Sequence, residues 1–289
     1  MTTQYTPYET QPPLPDPEPR RSSATKPLMI LLAVIGGITL VVILTTSAMS
    51  SLVGLSGGSA TRTADTTNVT DLEVSAAGAS FDVVFADVDE ATLETSGSRA
   101  DAWELTSQSS TLVVDAPSRW WDWGPFWTGN GETRAVLTLP TELNDGNLNA
   151  ELDLDAGQLT ATGDFNQLVL EVDAGDATVD GSARTLDAQV NAGSADLRLA
   201  DVETSNFEVA AGDITTELTG TPPTMTQIDV AAGRLTLTVP AGEYAVASDI
   251  AAGNLNNNLD AATNAPHEIA VDIAAGEVVL TPGAASDGF

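Results

Sequence analysis

The chain has 289 residues, with 41 acidic and 10 basic side chains, a net charge of −31, no cysteine and one histidine. Such a surface repels nucleic-acid phosphates, whose binding needs clustered Lys and Arg that release counterions, so nucleic acid is not a partner. The missing cysteines exclude disulfides, thiol nucleophiles and Cys-ligated zinc, and His267, read as a loop histidine, cannot alone furnish a multi-histidine metal site.

Residues 1–27 hold three acids (Glu9, Asp16, Glu18), three bases (Arg20, Arg21, Lys26) and seven prolines. Large apolar groups are too few there to offset ordering entropy, so a disordered tail is predicted. All of the net charge therefore belongs to residues 28–289. Residues 28–44 read LMILLAVIGGITLVVIL, twelve of them Leu, Ile or Val, and no charge appears between Lys26 and Arg62. At roughly −0.3 to −0.6 kcal/mol each, these side chains favour membrane insertion by about 4 to 7 kcal/mol. A single helix over residues 28–49 is long enough to cross. The three bases before it place the amino terminus in the cytoplasm and the rest of the chain outside the cell membrane. A cleaved signal peptide competes with this reading, but the polar lead is long and no small-x-small site closes the apolar run. Residues 50–67, rich in Gly, Ser, Thr and Ala, are predicted to be a flexible linker.

From Leu148 onward one pattern recurs: alternating apolar positions, Ala-Gly, one variable residue, then alternation again. The glycines are Gly157, Gly175, Gly193, Gly212, Gly233, Gly253 and Gly276, spaced by 18, 18, 19, 21, 20 and 23 residues. Leu168, Leu170, Val172 and Ala174 fall on even numbers, whereas Ala177 and Val179 after Gly175 fall on odd ones. A strand has period two, so this one-residue slip would turn every later side chain outward unless the backbone corrects it. Glycine at the slip supplies the correction, as a β-bulge or a corner. The alanine before it implies little room inside that corner. Each repeat thus yields two short strands, apolar inward and acidic outward, that bury their apolar rows only by stacking on neighbours. Leu72 to Phe85 form a degenerate first copy, and further strands are predicted at Thr111 to Asp115 and Arg134 to Leu139. The prediction is an all-β domain over residues 68–284, a β-solenoid-like stack of repeats of about 18 to 23 residues with Ala-Gly corners, followed by a short tail at 285–289.

Three segments carry a family likeness: Ala135-Val136-Leu137-Thr138-Leu139-Pro140, Leu152-Asp153-Leu154-Asp155-Ala156-Gly157, and Val172-Asp173-Ala174-Gly175-Asp176-Ala177-Thr178-Val179-Asp180-Gly181. In these the chain resembles the bacterial cell-envelope β-strand-repeat domain of unknown function labelled "putative adhesin". The resemblance covers roughly residues 68–284. It implies a β-solenoid-like fold and a place in the cell envelope, and it brings no catalytic residues.

Four of the five tryptophans, Trp120, Trp121, Trp123 and Trp127, lie with Phe126 in one segment between two predicted strands. Three roles are open to them: a cap on the end of the stack, a contact surface for a protein or glycan, or an anchor at the membrane interface. Asp153, Asp155, Asp173, Asp176, Asp180 and Asp196 point outward and raise the question of calcium. The chain lacks both the EF-hand spacing and the glycine-rich nonapeptides of calcium-binding β-rolls, so a solvated acidic face is the favoured reading, with no metal and no cofactor. Functionally, these features describe a non-enzymatic cell-surface protein with a structural or adhesin-like interaction role. The alternative is a membrane-tethered sensor or regulatory accessory of the envelope.

Overall fold

Period-two alternation governs most of the described residues between Ser59 and Pro282, and it is realised there as β-structure. The computed structural model describes residues 58–97, 100–116, 133–262 and 264–283. The predicted tail, membrane helix and most of the linker lie outside the described residues, as does the segment from Trp120 to Trp127. Among the described residues no helix is long and apolar enough to cross a membrane. Helical geometry there is confined to short 3-10 turns at Ala100–Ala102 and Thr141–Leu143.

Among the described residues eighteen strands join in one mixed sheet, an all-β architecture. The amino-terminal strands are β1 (Ser59–Ala64), β2 (Asp71–Ala86), β3 (Ala91–Ser96), β4 (Glu104–Gln108), β5 (Thr111–Asp115) and β6 (Arg134–Pro140). The predicted strands at 111–115 and 134–139 are therefore present. The Ala-Gly repeats begin with the long strands β7 (Leu148–Val172) and β8 (Gly175–Val190) and continue as β9 (Ser194–Ala200), β10 (Thr204–Val209), β11 (Asp213–Thr219), β12 (Met225–Val230) and β13 (Arg234–Val239). The last are β14 (Glu243–Ile250), β15 (Asn254–Asn257), β16 (Asp260–Ala261), β17 (His267–Ile273) and β18 (Glu277–Pro282). His267 thus opens a strand and is not a loop residue; its Nδ1 lies 2.9 Å from the Pro223 carbonyl.

Parallel pairing arranges the repeats in two rows. The first row runs from β5 through the start of β2, the start and end of β7, and the end of β8, to β10, β12, β17 and β14. The second row runs from β6 through the end of β2, the middle of β7 and the start of β8, to β9, β11, β13, β18 and β15. Within β7 and β8 each residue sits beside its counterpart 18 positions later, Leu168 on Leu186 and Gly157 on Gly175, which is the repeat length itself. In-register pairing keeps inward side chains in columns. Val172, Val190, Val209, Val230 and Ile273 follow one another and all are buried. Where two polar residues enter this interior they satisfy each other: Ser205 and Thr226 are register partners with hydroxyl oxygens 2.9 Å apart.

The phase slip is real, and glycine carries it. Inward positions jump from Val172 to Ala177, Val190 to Ala195, Val209 to Ile214, Val230 to Leu235 and Ile273 to Val278 across the Ala-Gly pairs. The seven glycines stack in one file. A Cβ placed on Gly175, Gly193, Gly212, Gly233, Gly276 or Gly253 would lie 2.5 Å or less from the carbonyl oxygen of the glycine next in line, and on Gly157 from that of Ala79. That carbonyl is occupied: Asp213, Arg234, Glu277 and Asn254 donate their N–H groups, each at 3.0 Å, to Gly193, Gly212, Gly233 and Gly276. The expectation that the alanine marks the tight place is corrected. Ala174, Ala192, Ala211, Ala232, Ala252 and Ala275 are all exposed, because the chain turns them outward at the corner; the crowding falls on the glycine.

Stack order also departs from chain order at one end. The last repeat, β17 and β18, lies between β12/β13 and β14/β15, so Gly276 follows Gly233 and Gly253 is outermost. At the opposite end antiparallel strands close the stack, β4 on β5, β3 on β6 and β1 on β3. Trp103, the tryptophan outside the aromatic cluster, is buried there and stacks on Phe81 with ring centroids 5.5 Å apart.

Gly212→Val, which forces a side chain onto the preceding carbonyl, is expected to destabilise by about 1–3 kcal/mol. The exposed Ala211→Leu is expected to stay within about 0.5 kcal/mol of the parent. Thermal denaturation of both variants checks this, and equal losses would contradict the geometry.

Candidate functional site

Outward side chains form columns as regular as the inward ones, because one register serves both faces of a strand. On the first row, Asp115 and Ser75 are register partners, as are Ser75 and Asp153. Further along, Glu171, Gln189, Glu208, Asp229, Asp272 and Asp249 succeed one another strand by strand. Carboxylates therefore recur at about the strand spacing of 4.8 Å over much of the stack. Beside the last four acids run Ala210, Ala231, Ala274 and Ala251, whose lack of bulk leaves a shallow open groove of about 430 Å³ between the acidic column and the corner.

Stacking like charges has an electrostatic consequence. Burial first, then the neighbouring Asp155, Glu171, Asp173 and Glu151, push the Asp153 carboxyl up to about 6. The same two causes raise Glu171 and Glu208, with Asp173 and Asp229 respectively the first charged neighbours, and Asp272, where Asp229 and Asp249 add to burial. Burial chiefly raises Asp187 as well, and Asn206, donating at 3.0 Å, partly offsets it. Glu73 and Asp115 at the other end shift upward for the same reasons.

The second row differs because arginines stand among its carboxylates, whereas at the edge of the first only Arg184, at the bend of β8, reaches an acid among the described residues, Glu203 at 3.8 Å. Arg198 reaches Asp196 at 3.2 Å and Asp180 at 3.5 Å, Arg234 holds Glu277 at 2.9 Å, and Arg134 holds Asp82. These are exposed pairs, each worth at most about 1 kcal/mol, but they neutralise that face locally. The six aspartates singled out in the sequence thus divide. Asp153 lies on the first row, with Asp155 and Asp173 at the corners next to it, whereas Asp176, Asp180 and Asp196 lie on the second, where Ser194 donates to Asp176 at 2.6 Å. Among the described residues no three Asp, Glu or His side chains are arranged to hold a metal ion.

The corner glycines Gly157, Gly175, Gly193, Gly212, Gly233, Gly253 and Gly276 are brought together as the backbone file that orders these columns. The proposed contact residues Trp120, Trp121, Trp123, Phe126 and Trp127 fall outside the described residues. Their flanks are placed: Ala116 donates to Ser75 O and Ser80 donates to Thr133 O, both at 2.9 Å. Ala116 and Thr133 thus both lie beside the Ala-Gly corner of β2. The late acidic column was missed in the sequence, although a signal exists. Glu208-Val209-Ala210-Ala211-Gly212, Asp229-Val230-Ala231-Ala232-Gly233, Asp249-Ile250-Ala251-Ala252-Gly253 and Asp272-Ile273-Ala274-Ala275-Gly276 repeat one pattern, an acid four residues before each glycine.

No family model and no curated protein matches the sequence. Solved structures to which this chain shows a likeness include a "putative cell adhesion protein" of Clostridium sporogenes, at 10% identity and TM-score 0.36, with 78% of this chain and 99% of that one covered. A "putative adhesin" of Bacteroides fragilis shares 12% identity at TM-score 0.44, covering 79% and 98%. A "putative lipid binding protein" of Parabacteroides distasonis shares 12% at TM-score 0.40, covering 77% and 97%.

The acidic column sets a pH dependence. Because the folded protein binds the Asp153 proton more tightly than the unfolded chain does, its stabilisation is complete below about pH 4 and is lost as pH rises through about 6. The melting temperature is therefore expected to rise on going from pH 7 to about pH 5. Asp153→Asn is expected to raise it at pH 7 by about 1 kcal/mol of stability, after discounting for solvent screening, and to flatten its slope over that window. A parent protein that loses stability over the same interval would contradict the electrostatics.

Proposed function

We propose that this chain is a non-enzymatic, membrane-anchored cell-surface protein whose repeat domain winds as a β-solenoid and presents its acidic first row to a partner outside the cell. The observation that carries the reading is the asymmetry of charge. The register stacks carboxylates on one row of strands beside a groove floored by alanine, while Arg134, Arg198 and Arg234 neutralise the other. A rigid, unneutralised, repeating anionic surface suits recognition of a cationic protein or glycan face through many weak contacts. The adhesin-like part of the reading rests on the family resemblance of the repeat motifs, and the anchor rests on residues 28–49. The winding is supported by the file of glycines and by the 18-residue offset between β7 and β8.

Protease shaving of intact cells is expected to release fragments from residues 68–284 and to spare residues 1–27. Binding of the full chain to cationic glycan or protein surfaces is expected to weaken at least tenfold when Glu208, Asp229, Asp249 and Asp272 are all replaced by Asn or Gln, and to fade with added salt. Protection of the repeats in intact cells, or binding indifferent to the four substitutions, would contradict the proposal.

A further inference from the structure

The two ends of the stack are finished differently. Antiparallel strands and Trp103 close one end, whereas among the described residues the other ends on an open rung, β14 and β15. The chain itself begins a further rung there and abandons it. β16 runs parallel to β14 for two residues, Asp260 beside Glu243 and Ala261 beside Tyr244; Ala262 donates to the Tyr244 carbonyl, and the backbone turns back to form β17. Beyond that point, among the described residues, no strand covers the outer side of β14, the corner or β15.

The backbone left bare has a fixed pattern. In four rungs the residue two before the corner glycine donates its N–H to the rung beneath: Ala210 to Val190, Ala231 to Val209, Ala274 to Val230 and Ala251 to Ile273, at 2.8–2.9 Å. The residue after the glycine does the same, Asp213 to Gly193, Arg234 to Gly212, Glu277 to Gly233 and Asn254 to Gly276. The next carbonyls in these two series, Ile250 and Gly253, face the open side, and the alternation of backbone groups adds Val246 and Ser248. Ile250, 40% exposed, and the partly buried Leu255 end the inward columns on either side of the corner, although their neighbours Ile273 and Val278 are buried. Asp249 ends the acidic column beside Asp272. Open edges are ordinarily blunted with charge, proline or a bulge, yet residues 244–258 carry one charge and no proline.

We propose that this edge captures an extended segment of a different protein as one more rung, by strand addition in the direction of β14 and β15. The ladder dictates the chemistry of that segment. Its corner residue is glycine, because a Cβ there would crowd the Gly253 carbonyl as one on Gly253 would crowd that of Gly276, 2.3 Å away. Apolar side chains three residues before and two residues after that glycine cover Ile250 and Leu255. Four residues before it stands lysine or arginine, about 4.8 Å from Asp249. A second copy of this chain does not fit, since six of its seven repeats carry an acid at that position, Asp153, Glu171, Glu208, Asp229, Asp249 and Asp272, which would extend the column of like charge. The segment enters beside Ala247, past Ala262, so β16 stays in place. Backbone groups of the edge carry the contact, so it holds independently of any partner bound on the acidic face.

The probe is a fluorescent synthetic peptide with the sequence of Ala270–Leu280 carrying Asp272→Lys. It is expected to bind the full chain, purified in mild detergent, saturably by fluorescence anisotropy. Restoring Asp272 in the peptide, or adding Gly276→Ala to it, is expected to weaken binding by roughly tenfold or more. On the protein, Ser248→Pro removes an outward N–H and leaves the bonds to β17 intact; it is expected to weaken binding by roughly tenfold or more at the parent's melting temperature. Absence of saturable binding, or binding indifferent to Gly276→Ala in the peptide or to Ser248→Pro in the protein, would overturn the proposal. Exclusion of the peptide by a second copy of the chain would overturn it too.

Discussion

The structure depends on one close approach: each corner glycine lies so near the carbonyl of the glycine next in line that no Cβ fits between them. That carbonyl accepts the N–H of the residue just after the next glycine, so the parallel hydrogen-bond ladder passes the corner without a break. Uninterrupted pairing is what allows 16- and 25-residue strands, β2 and β7, to serve both rows. Any other residue would push the rungs apart and leave buried amides without partners, a larger penalty than the overpacking alone.

From that file of glycines the surface is built. A fixed register turns a sequence repeat into columns, and columns convert a modest preference for Asp and Glu into rows of carboxylates at strand spacing. Those carboxylates crowd one another, which is why burial and like charge together raise Asp153, Glu171, Glu208 and Asp272. The stack therefore gives up some stability at neutral pH and gains a surface of one sign. On the second row, Arg198 and Arg234 relieve the same crowding.

Much of this was legible in the sequence, because period-two alternation and the one-residue slip at Ala-Gly are local signals. The strands at residues 111–115 and 134–139, the degenerate first copy in β2 and the role of glycine at the slip all come from such patterns. The place of the alanine was not legible, because adjacency in sequence does not say which of two residues turns inward at a corner; Gly157 and Gly212 do, and Ala211 does not. The swapped order of the last two repeats was not legible either. Val230, Ile250 and Ile273 are interchangeable in shape, so the sequence around Gly233, Gly253 and Gly276 fits either order, and only long-range pairing chooses between them. The exchange leaves the acidic column intact, since Asp249 and Asp272 are neighbours in either order and the acid stands four residues before each glycine.

Disulfide mapping between corner alanines, possible because the chain lacks cysteine, tests the glycine file most directly. These alanines are exposed and ride beside the stacked glycines, so neighbours in the file lie within bridging distance and next-nearest ones do not. The pairs Ala174→Cys/Ala192→Cys and Ala232→Cys/Ala275→Cys should bridge readily, and Ala232→Cys/Ala252→Cys should not. Bridging of the last pair in preference to Ala232→Cys/Ala275→Cys, or of none of them, would contradict the account.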